Sequence, residues 1–369
     1  MNTSPKTRRD VLKTMAKTTA AFSIIPRYVL GGPHYVAPSD KLNIAMIGTG
    51  GQGMRNLQEI LPNPDVQVIA LADVTLEVNY SRSYHKHLGG RQTGYNVITE
   101  HYKQNAATQD YPEPKVYIDF RDMLDNEKEI DAVAVSTPDH THYTAGKYVI
   151  ERDKHIYLEK PLCRTIYETR KLTELARKHG VVTQMGTQGH AGEGIRLTVE
   201  WLRAGAIGTV REIHSWSEGP SRGACTFGPP EETPPIPEGL AWELWLGPAE
   251  QRPYHPDYTP GSWRTWWDFG TGKMPDMGLH HMDPAFWALD LGYPEWTQSR
   301  GAWADKDKRP FTAMHYFKFP AKVDRPEVYL TFYSGLMPPR PEELEDDRDF
   351  TGHGNGILFI GDKIGRAHV

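Results

Sequence analysis

At 369 residues, with an ordinary share of apolar and charged side chains, the chain can bury two cores and is too long for one small domain. Six basic and two acidic side chains within residues 1–40 leave the remainder at −9 out of a total of −5, and an acidic body repels polyanions, which argues against a nucleic-acid partner. Two cysteines, Cys163 and Cys225, are too few for a disulfide framework, and no apolar run is long enough to span a bilayer.

The first stretch reads as an address. Thr7-Arg8-Arg9-Asp10-Val11-Leu12-Lys13 resembles the twin-arginine export consensus, and a weakly apolar stretch from Thr18 to Ile25 follows it before Pro26. Residues 1–40 are therefore expected to be a signal and linker that direct the protein to the periplasm or another extracytoplasmic space. That route carries proteins already folded.

Leu42 to Ile47 reads as a buried strand, followed by Gly48-Thr49-Gly50-Gly51-Gln52-Gly53 and a helix from Met54 to Leu61. Val66 to Ala72 is a second buried strand. Leu76 to Leu88 is expected to be helical, and Gly89 to Lys115 is a polar insertion without assigned structure. Strands at Val116–Ile118, Ala132–Ser136, His155–Leu158 and Val181–Met185 alternate with helices at Phe120–Leu124, His142–Glu151 and Tyr167–His179. Such alternation implies a doubly wound parallel sheet of Rossmann type over residues 41–188. After Gln188, proline and tryptophan become dense, and Arg222 to Pro260 reads as ordered loops. Candidate strands at Val210–Ser217, Thr312–Phe319 and Glu327–Tyr333 suggest an α+β substrate domain over 189–363 with a largely antiparallel sheet. Pro338 to Asp349 is an acidic loop. A last strand starts within Gly356–Gly361, and Ile364-Gly365-Arg366-Ala367-His368-Val369 matches the translation of a common sequencing adapter. The tail at 364–369 is thus expected to be non-native and the copy truncated.

G-x-G-x-x-G is weak evidence alone, but here it follows a strand, opens a helix and has an acidic residue at the right distance. The first glycine permits the tight turn, the second lets the backbone approach a pyrophosphate, and the third lets helix pack on strand. Gly48, Thr49, Gly50, Gly51, Gln52 and Gly53 would cradle the dinucleotide. Asp73, twenty residues past Gly53, can accept from the adenosine ribose hydroxyls and would repel a 2′-phosphate, which favours NAD over NADP.

With these residues the chain resembles the glucose–fructose oxidoreductase, inositol dehydrogenase and rhizopine-catabolism (Gfo/Idh/MocA) family over about Lys41 to Gly361. The resemblance rests on the glycine fingerprint, Ser136-Thr137-Pro138-Asp139-His140-Thr141-His142, Glu159-Lys160-Pro161 and Asp276-Met277-Gly278-Leu279-His280-His281-Met282-Asp283, in that order. Trp263, Trp266, Trp267 and Asp268 look like those of exported, sugar-directed members. The resemblance implies that Thr137, Pro138, His140, Glu159 and Lys160 line the cofactor, and that Lys160 acts at the reacting oxygen beside His280 and Asp276.

The residues themselves are compatible with that chemistry. Oxidising a carbinol needs a hydride acceptor, a base for the hydroxyl proton and donors that fix the oxygen. Lys160 ends a strand at the carboxyl edge of the sheet, where open α/β sheets place ligands. Asp276 and His280 are four apart and can face one cleft, with Asp276 orienting the imidazole or accepting a substrate hydroxyl. His281 could do the same work after a small helix shift. His140-Thr141-His142 and His280-His281 do not make a closed metal set, so metal is the weaker reading. Trp242, Trp245, Tyr254, Tyr258, Trp263, Trp266 and Trp267 offer either sugar platforms or packing. Gly186-Thr187-Gln188 is expected to line the cleft.

The leading expectation is an exported oxidoreductase with tightly held NAD that transfers hydride at a secondary alcohol of a sugar, polyol or glycoside, assembled as a homo-oligomer, with no nucleic-acid partner and no membrane span. A glycosidase or lyase with self-recycling NAD, and a non-catalytic sugar sensor, are the alternatives.

Overall fold

Six strands form a parallel sheet: Leu42–Ile47 (β1), Val66–Ala72 (β2), Lys115–Tyr117 (β5), Ala132–Val135 (β6), His155–Glu159 (β7) and Thr183–Gly186 (β8). Two short strands, Val78–Asn79 (β3) and Leu88–Gly89 (β4), pair separately as a hairpin. The sheet order is β5-β2-β1-β6-β7-β8, so the direction of winding reverses between β1 and β6. The computed structural model describes Ala37 and residues 40–81, 85–105, 111–217, 228–260, 262–302, 304–342, 344–345, 354–363 and 366–368. The expected export signal, Cys225 and part of the acidic segment 338–349 lie outside the described residues.

The pattern of alternation in β1 explains the layering. Met46 points to one face, where it meets Met54, Leu57, Ile98 and Tyr102; Ala45 and Ile47 point to the other, with Met123, Val149 and Leu172. Helices therefore cover both faces, which is why the strands are nearly continuous apolar runs. Each fully buried side chain such as Leu57 contributes about 1.5–3 kcal/mol through its removal from water. The helix Ile166–His179 shows how local chemistry sets the ends. Thr165 and Glu168 form a reciprocal capping box, and Gly180 closes the helix in the left-handed conformation at φ +67°.

The second sheet runs Trp296–Ala302 (β10), Thr312–Phe319 (β11), Val328–Ser334 (β12), Glu212–Ser217 (β9), Asn355–Ile360 (β13) and Arg366–His368 (β14). It is antiparallel apart from the β9–β12 pair. Helices Glu193–Arg203 and Leu279–Leu289 pack on one face through Leu202, Met282 and Ala285 against Ile213, Leu330 and Phe332. The expected Rossmann sheet and α+β second unit are both present. Within the hexapeptide read as foreign, Arg366–His368 pairs with β13 as an edge strand, a contact that main-chain groups alone can make.

Two local expectations need correction. Among the described residues of Leu76–Leu88 there is no helix: Val78-Asn79-Tyr80-Ser81 is a run of weak helix formers, and Val78–Asn79 instead pairs with Leu88–Gly89, anchored where the Leu76 amide donates to the Gly239 carbonyl. The polar insertion from Gly89 to Lys115 does contain a helix, Arg91–Asn105, which buries Ile98 and Tyr102 on the sheet.

Candidate active site

The crevice opens at the carboxyl ends of β1 and β6, the switch point where open α/β sheets bind ligands. Gly48 leaves β1 at φ +84°, and a Cβ there would lie 2.5 Å from the Ser136 carbonyl oxygen. At Gly53 a Cβ would run into the Gly48 carbonyl, so helix and strand approach as closely as only glycine allows. Gly50 caps the helix Gly51–Ile60 without any side-chain bond to its first amides, which leaves donors and the positive end of the helix dipole for a diphosphate. These residues fit a dinucleotide.

The hairpin found in place of the expected helix rests on that cradle. The Tyr80 hydroxyl sits against the α-carbon of Gly50, and the His85 ring lies over Gly51, 3.2 Å from where a Cβ would be. Burial, Arg55 and Arg264 hold His85 at about 4, so its ring is neutral there. The Tyr80 ring thus stands where a diphosphate would approach the α-carbon of Gly50. Tyr80→Ala should accelerate NADH association about 3–10-fold in stopped-flow fluorescence, while Tyr80→Phe, which keeps the ring, should not. Equal rates in the unchanged protein and Tyr80→Ala would show that the ring is no obstacle.

Asp73 ends β2 with both carboxylate oxygens in use, accepting the Thr49 amide at 2.8 Å and the Thr75 amide at 2.8 Å. Burial raises its pKa against those bonds. It braces the glycine loop whatever else it accepts. Thr137 and Pro138 follow β6 and are half-buried, with Pro138 starting the helix Asp139–Ile150. His140, expected at the cofactor, is 2 % exposed and packs between Trp245 and Phe269, its Nε2 bonded to the Trp245 carbonyl at 2.9 Å. Its ring is spent on joining the two parts of the chain, and burial keeps it neutral at about 4. Asp139 beside it accepts from the Thr271 amide and hydroxyl at 2.9 and 2.6 Å.

At the end of β7, Lys160 Nζ pairs with Asp276 Oδ1 at 2.5 Å and donates to the Asp276 carbonyl at 3.1 Å. The other oxygen of Asp276 meets Arg264 Nε at 3.2 Å. Burial works to raise the Asp276 pKa, but Arg264 and Lys160 outweigh it and hold the carboxyl at about 2. Asp276 lies in the wide turn Met274–Gly278 and His280 in the first turn of the helix that follows. His280 Nδ1 faces the Gln188 carbonyl at 3.0 Å, so Asp276 orients the lysine and the imidazole is oriented by the main chain. This corrects the expectation that Asp276 holds the histidine. Burial and the Lys160 charge lower the His280 pKa. His281 is lowered to about 4, chiefly by burial, and its buried Nε2 has no hydrogen-bond partner among the described residues.

Arg264 escaped sequence reasoning, although it stands between Trp263 and Trp266 in a segment otherwise read for its rings. Its guanidinium lies 4.1 Å from the centre of the Trp263 ring. The aromatic run is mostly packing: Trp242, Trp245, Tyr258, Trp263 and Trp266 form one buried cluster with Phe269, and Trp267 alone of the tryptophans at 263–267 is exposed, at 39 %. A separate cleft of about 830 Å³, lined in part by Tyr157, Met185, Thr187, Met274 and Phe286, touches none of Lys160, Asp276 or His280.

This fold and switch-point crevice define an NAD-binding oxidoreductase of Rossmann type. Residues 42–187 match the family model described as oxidoreductase family, NAD-binding Rossmann fold, and residues 230–294 match its C-terminal alpha/beta domain. Together they cover more than half of the chain, which belongs to the Gfo/Idh/MocA oxidoreductase family. A glycosyl hydrolase family 109 protein of Shewanella sp. (strain W3-18-1) is 22% identical over 264 residues, 70% of this chain and 47% of that protein. The chain thus spans about half the length of such curated relatives. Among solved structures, GenD2 from gentamicin A biosynthesis in complex with NAD superposes with a TM-score of 0.57 at 17% identity, covering 94% of this chain and 75% of that one. The WlbA dehydrogenase from Bordetella pertussis, in complex with NADH and UDP-GlcNAcA, gives 0.56 at 15% identity, with 89% and 79% covered.

Proposed function

We propose that the protein is an NAD-dependent dehydrogenase acting on a secondary alcohol of a sugar, polyol or glycoside. The observation that carries this reading is the pairing of a cation and a neutral base at the sheet's carboxyl edge, Lys160 gripped by Asp276 and His280 held by the Gln188 carbonyl. When bound, the nicotinamide supplies the hydride-accepting carbon. Lys160, paired with Asp276, serves as the donor that fixes the reacting oxygen. His280 takes the proton, because its lowered pKa leaves the ring neutral near pH 7. Arg264 neutralises the second oxygen of Asp276 and keeps the carboxylate in place. The WlbA dehydrogenase was solved in complex with UDP-GlcNAcA, a sugar nucleotide, which supports a carbohydrate substrate here.

A second reading is favoured by the family 109 relatives: a glycosidase or lyase that oxidises a sugar carbon and eliminates the glycosidic bond, the glycosidase then adding water across the new double bond, before the hydride returns to the oxidised carbon. One experiment tests both. The purified protein is denatured and analysed for released NAD(H), then assayed on glycosides with and without added NAD. Net NADH formation supports the dehydrogenase; cleavage without added NAD and without net NADH supports the glycosidase. Neither product from a protein that binds NADH would leave a sugar sensor.

We further propose export by the twin-arginine route from Arg8 and Arg9, checked by fractionating cells that carry the chain with both arginines changed to lysine. Assembly into a homo-oligomer is proposed from the acidic body and the second sheet, and light scattering measures it.

A further inference from the structure

A chain of polar side chains runs from the glycine-loop helix to the histidine, and the mechanism above uses none of its middle members. Gln52 Nε2 donates to Asn56 Oδ1 at 2.9 Å, and Asn56 Nδ2 donates to Ser136 Oγ at 3.1 Å and to Glu159 Oε1 at 2.8 Å. Glu159 is 4 % exposed. Its carboxylate also accepts from the Tyr157 hydroxyl at 3.3 Å and from Gln188 Nε2 at 3.1 and 3.3 Å. Gly186 makes room for this: a Cβ there would lie 2.8 Å from Glu159 Oε1. Sequence reasoning put Glu159 at the cofactor; the structure turns it inward, toward donors from β7, the first helix and the turn after β8.

Gln188 lies in that turn, where no strand or helix ladder holds its carbonyl. Its amide is held by Glu159, and its carbonyl faces His280 Nδ1. A carbonyl can only accept, so Nδ1 carries the proton and the lone pair of the neutral ring falls on Nε2.

We propose that the Glu159–Gln188 side-chain pair is the positioning device of His280: it anchors the residue whose carbonyl selects the Nδ1–H tautomer and so leaves Nε2 as the proton acceptor. This rests on the reading of His280 as base, and it gives Glu159 a role distinct from contact with the dinucleotide.

The test exchanges the two partners. Gln188→Glu places two carboxylates side by side, where they repel, and the turn must move. We expect kcat to fall about 100-fold with KM and NADH affinity within about threefold, because a small misplacement of a positioned group suffices for such a loss. The ¹⁵N resonances of the His280 ring, assigned by their disappearance in His280→Asn, should lose the Nδ1–H signature. Combining Gln188→Glu with Glu159→Gln restores one donor facing one acceptor, and should return both the tautomer and kcat to within about fivefold of the unchanged protein. A Gln188→Glu protein that keeps the Nδ1–H ring would overturn the proposal. So would a double exchange that binds NADH normally yet stays as impaired as the single one. If no version turns over any sugar, the dehydrogenase reading fails, while the tautomer comparison still decides the role of the pair.

Discussion

Lys160→Ala should lower kcat/KM about 10³–10⁴-fold while leaving the NADH dissociation constant within about threefold. The ammonium sits 2.5 Å from Asp276 Oδ1 and is placed to hold the reacting oxygen, so its removal strikes the charge that develops there. The cradle should survive, because Asp276 keeps Arg264 as a partner at 3.2 Å and is not left as a lone buried charge. Lys160→Arg should rescue little, since a planar fork cannot replace a point charge at this site. Steady-state kinetics and fluorescence titration with NADH check both halves. Equal losses of turnover and of nucleotide binding would refute the assignment and return Lys160 to a structural part at the strand end.

The second large effect concerns His280. His280→Asn should lower kcat/KM about 10²–10⁴-fold, the range expected for a positioned base. The sign of the pH dependence follows from the shift. A base works when unprotonated, and burial together with Lys160 lowers the His280 pKa below its ordinary 6.5. Activity should therefore be full near pH 7 and fall as pH drops through that lowered pKa. Asp276, held at about 2, stays ionised across this window and does not contribute to the fall. His281→Asn should keep the acid limb, whereas His280→Asn should lose it. An acid limb that survives in His280→Asn would assign the base to another group, His281 first.

Much of this site could be read before any coordinates. The glycine spacing, the strand before it and Asp73 at the end of β2 follow from local rules, because a tight turn, a close approach and a helix start each demand particular residues at short range. Lys160, Asp276 and His280 were expected in one site through ordered motifs. Their division of labour was not, because it depends on which atoms meet across 116 residues of chain between Lys160 and Asp276. Arg264 was hidden for the same reason: an arginine among tryptophans carries no local mark of the carboxylate it will face. The motif around His140 suggested the cofactor, while its burial between Trp245 and Phe269 is a property of packing.

The hairpin shows the limit from the other side. Nothing within Leu76–Leu88 announces that the Leu76 amide will meet the Gly239 carbonyl beside the Thr75–Leu240 bridge, contacts that outweigh a short helix of weak formers and lay Tyr80 on the glycine loop. Sequence alone determined the family, the doubly wound sheet and the dinucleotide cradle, since periodicity and glycine spacing are short-range signals. Tertiary structure decided who holds whom: Asp276 the lysine, a main-chain carbonyl the histidine, and Glu159 the turn behind it. Those choices turn on donors and acceptors brought together from distant strands, and the energy of a hydrogen bond depends on geometry that no single stretch of chain contains.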